Sequence, residues 1–89
     1  MKSLAYPVCN LNGSKAQSLL NENRKASDAL RVAQDALREI CPHGRDYQCQ
    51  APEVYNQARQ EHIERQEKLN SLIEELDAIA ENLYSQIPS

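Results

Sequence analysis

The sequence predicts an all-α protein, an antiparallel two-helix hairpin completed by oligomerisation into a helical bundle. Three observations carry that expectation. The composition is rich in Ala, Leu, Glu, Gln, Arg and Asn, with no Trp, no Phe and only two Gly, which favours long helices over a sandwich or barrel. Along two stretches the apolar residues recur in alternating steps of three and four, the signature of heptad packing. One short break holding Pro42 and Gly44 separates the two stretches, and a short connection makes consecutive helices antiparallel neighbours. With 89 residues the chain has room for a single domain and a modest core.

Residues 1–13 read as an irregular lead-in, because Pro7 and the cluster Asn10, Asn12, Gly13 resist a helix. Ser14 followed three positions later by Gln17 is a capping-box pattern, and helix 1 is expected over residues 14–41. Its seam is Ala26, Leu30, Ala33, Leu37 and Ile40, preceded by Leu19 and Leu20 and interrupted by Asn23. The alanines imply close approach of the facing helix. Pro42 ends the helix, since it lacks an N–H and disfavours the α conformation at Cys41. Gly44 offers a left-handed turn, and residues 42–50 form the tip loop. Pro52 suits the first position of a second helix, with Glu53 near its positive end.

Helix 2 is expected over residues 51–86. Its seam reads Tyr55, Ala58, His62, Arg65, Leu69, Leu72, Leu76, Ile79 and Leu83, flanked by a stripe of Ile63, Ile73, Ala80, Tyr84 and Ile87. At ~1.5 Å per residue the two helices are about 40 and 50 Å long. Two helices cover each seam on one side only. Ile63, Ile73, Tyr84 and Ile87 would then meet water, although burying each large apolar side chain is worth ~1.5–3 kcal/mol. A homodimer, as a four-helix bundle, or a higher oligomer would recover those contributions. The competing expectation is that Leu4, Tyr6, Val8 and Leu11 fold back as a lid.

The net charge of −3 is mild, with both signs interspersed. A duplex-DNA partner calls for a basic face and none is visible, so nucleic acid is not the expected partner. A small anionic ligand is still compatible with this charge. No apolar stretch approaches the ~20 residues that span a bilayer, so no membrane association is expected. The first residues are too few and too interrupted for a signal peptide. Three cysteines, an odd number, suit reduced thiols in a cytoplasm better than a disulfide scaffold.

The unusual residues concentrate between Cys41 and Cys49, where three chemistries compete. Cys41, His43 and Cys49 are zinc-ligand types, but no C-x-x-C pair exists, and a fourth ligand would have to come from Cys9 or His62. They are weak metal candidates, and no metal or cofactor is expected. A Cys beside a His has the residue types of a nucleophilic pair, yet nothing supplies an oxyanion hole or a pocket. No paired-carboxylate, GxSxG, P-loop, Rossmann or HExxH pattern appears, so the chain is not expected to be an enzyme. The third chemistry is recognition. Arg45 can fork onto a carboxylate or phosphate, and Tyr47 presents a flat amphipathic face. Against this stands a local role, with Asp46 capping the turn, Arg45 paired with Asp46 or Glu53, and Tyr47 plugging the hairpin end.

His62 and Arg65 occupy seam positions that should be apolar. They read either as a hydrated end where Arg65 snorkels or as an anion-binding pocket shared with Arg45 and Tyr55. Arg24, Asp28, Arg31, Asp35 and Arg38 read as a solvated ladder of ion pairs on helix 1. Beyond Lys68 the chain carries Glu74, Glu75, Asp77 and Glu81 and no basic residue.

The Asn12-Gly13-Ser14 opening, the His43-Gly44-Arg45-Asp46-Tyr47 tip and the long Glu/Leu-rich second helix resemble small helical-hairpin proteins of unknown function encoded by phages and prophages. A similar tip in those chains reads Asn-Gly-Arg-Asp-Tyr-Tyr; here His43 replaces the Asn and Gln48 the second Tyr. The resemblance implies an accessory protein in the bacterial host cytoplasm that binds and inhibits a host protein, including a host defence protein, or sequesters a signalling molecule. The expected function is therefore a non-catalytic interaction module whose binding residues include His43, Arg45, Asp46 and Tyr47. The alternative is an oligomeric nucleotide-binding protein, with Arg45, Arg65 and Tyr47 or Tyr55 holding the anion.

Overall fold

A computed structural model describes residues 3–8 and 13–87 of the chain, the side chain of Ser14 excepted. Two helices make the fold, as the heptad patterns require. Helix α1 spans Gly13–Glu39 and helix α2 spans Pro52–Ser85, joined through one 3-10 turn at Gly44–Tyr47. They pack against each other along their lengths as a hairpin, and no strand occurs among the described residues. The molecule measures 62 × 24 × 14 Å, so it is little more than one helix thick. Among the described residues no helix is long and apolar enough to cross a membrane.

The break between the helices follows from local chemistry. The last turn of α1 tightens, with Ile40 N donating to Leu37 O at 3.2 Å and Cys41 N to Arg38 O at 3.4 Å. Pro42 cannot extend that ladder. Asp46 N then donates to His43 O at 3.0 Å and closes the 3-10 turn, and Val54 N donates to Ala51 O at 2.9 Å as α2 begins behind Pro52. No glycine among the described residues has positive φ, so Gly44 does not supply the left-handed turn expected of it. A Cβ at Gly44 would make ordinary contact with the Tyr55 ring at 3.8 Å.

Both seams differ in phase from the expected ones. On α2 the residues turned inward include His62, Ile73, Ala80 and Leu83, all buried, with Gln66, Leu69 and Leu76 half-buried. Arg65 is exposed and Leu72 remains 44% exposed. The expected and observed seams share Tyr55, Ala58, His62, Leu69, Leu76 and Leu83, with Ile79 half-buried beside the core. They part over whether Arg65 and Leu72 or Gln66 and Ile73 fill the positions between. Desolvating a guanidinium without a partner costs far more than half-burying an amide, so the stripe carrying Gln66 faces the partner helix.

On α1 the inward residues are Ala16, Leu20 and Ser27, with Asn23, Leu30, Gln34 and Leu37 half-buried. Ala26, Ala33 and Ile40 point outward. The leucines lie between the two candidate stripes and suit either. Burying Ala26 would gain one methyl group, whereas burying Ser27 lets its hydroxyl donate to Asp77 Oδ1 of α2 at 2.7 Å. The densest packing lies at the open end, where Leu20, Ala80 and Leu83 are gathered with Leu19, Ile79 and Ile87 around them.

Residues 3–8 of the lead-in do not close over the exposed apolar residues. Ser3, Leu4 and Tyr6 lie beside Ser71, Glu74 and Ala78 of α2, and Gln86 Nε2 donates to Pro7 O at 2.9 Å. Leu4 is half-buried, but Tyr6 and Val8 are 46% and 77% exposed. Leu11, also expected in a lid, lies outside the described residues.

Candidate interaction site

The tip is built from the first turns of α2 upward. Tyr55 is half-buried, and the Tyr47 ring leans on it with centroids 5.8 Å apart and planes tilted by 39°. The Arg59 guanidinium sits 5.8 Å from the Tyr55 ring centroid, a cation–π contact that further orders the ring. Gly44 passes close over the same ring. Tyr47 and Tyr55 thus brace the 3-10 turn on α2, as the plug reading of Tyr47 supposes.

The braced turn holds its charged residues in water. His43, Arg45 and Asp46 are all exposed. Among the described residues none of their side chains has a hydrogen-bond or ion-pair partner. Arg45 therefore pairs with neither Asp46 nor Glu53, and the Asp46 carboxylate does not cap the turn. A guanidinium and a carboxylate exposed on adjacent residues of a braced turn can each take a partner group of opposite charge.

The other sequence candidates are not brought into this cluster as one pocket. Arg65 is exposed, one position off the seam. His62 is 4% exposed, and neither of its ring nitrogens has a partner. Cys41 and Cys49 are exposed free thiols. The Cys41 thiol contacts only the carbonyl of Pro42, at 3.8 Å. Among the described residues no group of three His, Cys, Asp or Glu side chains is placed to hold a metal ion. Cys9, the other conceivable ligand, lies outside them.

A second polar cluster ties the helices together midway, and sequence reasoning missed it. Arg31 donates through Nη1 to Ser27 Oγ at 2.7 Å and through Nη2 to Asp77 Oδ2 at 2.5 Å. The Ser27 hydroxyl and then the Arg31 guanidinium hold the Asp77 carboxyl below its ordinary range, against an opposing desolvation. Beside this bridge, Arg24 lies over the Tyr84 ring at 5.9 Å from its centroid. The charged ladder on α1 is thus only partly local. Asp28 and Asp35 approach Arg31 and Arg38 at 4.0 and 2.9 Å, while Arg31 and Arg24 reach across to α2. The sequence signal was the absence of any basic residue on α2 near Asp77, which left its charge to be met from α1.

No protein family, no curated protein sequence and no solved structure matches this chain.

Proposed function

We propose that this chain is a non-catalytic helical interaction module, which binds a protein partner through its tip and self-associates through its helices. The supporting observation is the presentation of Arg45 and Asp46, exposed and unpartnered on a turn that Tyr47 and Tyr55 brace. Bracing the backbone of the turn in advance lowers the entropy lost on binding. The resemblance to phage-encoded hairpins supplies the setting, the inhibition of a host protein in a bacterial cytoplasm.

The test is capture of a partner from bacterial lysate by wild-type protein and by the double variant Arg45→Ala, Asp46→Ala. Both side chains are solvent-exposed, so the variant keeps its helical circular dichroism. Loss of at least ~90% of the captured protein is expected, since charge-assisted contacts at an interface cost ~2 kcal/mol or more when truncated. Equal capture by the two proteins would remove the tip from the binding role. The nucleotide-binding alternative has its own readout. A nucleotide panel is expected to leave the melting temperature unchanged, whereas a ligand bound only by the native state would raise it.

A further inference from the structure

We infer that α1 carries the self-association surface: its outward face docks antiparallel on the same face of a second copy. The inference rests on the self-association part of the proposed function and gives it a location.

The face is a second heptad stripe on the same helix. Ala26, Ala29, Ala33, Ala36 and Ile40 follow steps of three and four, on the side of α1 turned away from α2. All five are exposed, Ile40 by 66%, and Val32 on the edge of the stripe is 70% exposed. The described lead-in residues 3–8 lie against α2 and not on this face. Alanines at these steps let two helices approach to the short end of the ~8–10 Å range.

Surface area argues for a second copy as the occupant. A compact protein of 10.1 kDa exposes about 5,300 Å² by the scaling for folded monomers. This hairpin exposes 6821 Å². The excess of roughly 1,500 Å² exceeds the ~800 Å² per partner that a stable interface buries.

Charge selects the direction. Lys25, Val32 and Glu39 lie along one edge of the stripe at heptad spacing, and all three are exposed. Among the described residues Lys25 and Glu39 have no ion-pair partner. In an antiparallel pair with its two-fold axis at Val32, each edge meets its own counterpart. Lys25 of one copy then stands opposite Glu39 of the other, twice over, with Val32 against Val32 between them. A parallel pair would set this edge against the opposite one, where Leu30 and Leu37 stand, and would leave Lys25 and Glu39 without those partners.

Sedimentation velocity over a concentration series tests this with four proteins: wild type, Ala33→Glu, Lys25→Glu, and the swap Lys25→Glu with Glu39→Lys. The wild type should be a dimer. Ala33→Glu should weaken dimerisation at least ~tenfold by placing a charge in the contact, with unchanged circular dichroism. Lys25→Glu should weaken it roughly fivefold, the range of exposed ion pairs, and the swap should restore it. A wild-type dimer that both single variants leave intact would overturn this face while self-association stands. A wild type that is monomeric throughout would overturn both, and capture of a partner by the tip would still be judged by the lysate experiment.

Discussion

His62 is the residue least at home in its surroundings. It is 4% exposed, and both ring nitrogens lack a partner. Leaving a buried polar group unsatisfied costs about 1–3 kcal/mol. His62→Leu keeps a similar volume at the seam and removes that cost. It should stabilise the hairpin by about 1 kcal/mol, a rise of roughly 4–8 °C in melting temperature for a domain of this size. A lowered melting temperature would mean that the imidazole finds a partner in solution, through water or a second copy. The tip residues illustrate the limits of residue-level reading. Arg45, Asp46 and Tyr47 stood out in the sequence by type, but only the fold separates the bracing Tyr47 from the free Arg45 and Asp46.

Between elements, the Ser27–Arg31–Asp77 cluster decides the phase of α1 against α2. Because Asp77 titrates below its ordinary range, the folded state binds this proton less readily than the unfolded chain does. Its contribution is therefore complete above the unfolded carboxylate value near ~4 and is lost as pH falls through the lower folded value. Asp77→Asn should cost about 1 kcal/mol or less at neutral pH, the scale for half-exposed pairs, and should flatten the acid limb of a stability–pH curve below pH ~4. Thermal melts of the two proteins from pH 7 to 2 measure this; parallel curves would show that Asp77 is not the coupled group.

At the scale of the whole molecule, thinness is the governing fact. A body 14 Å across its short axis gives every residue a short path to water. Of the described apolar residues only Ala16, Leu20, Ile73, Ala80 and Leu83 are buried. If the dimer supplies the remaining burial, stability is tied to concentration by mass action. The melting temperature should then rise by several degrees between about 1 and 100 µM, with the Ala33→Glu variant melting lower than the wild type at each concentration. A wild-type melting temperature independent of concentration would separate folding from association.

The two helices, their antiparallel pairing and the break at Pro42 were legible in the sequence, because they depend on local chemistry: heptad spacing, a missing N–H and the scarcity of glycine. The tip was legible as a place, through the clustering of Arg45, Asp46 and Tyr47. Which face of each helix turned inward was not legible. On α2 two stripes shared His62, Leu69, Leu76 and Leu83, and on α1 two shared Leu30 and Leu37. Periodicity alone weighs such stripes equally. Only the tertiary structure broke the tie, by placing Ser27 and Arg31 against Asp77 and by leaving Arg65 in water, since hydrogen bonding and desolvation across the interface depend on the partner helix as well as on each helix's own pattern.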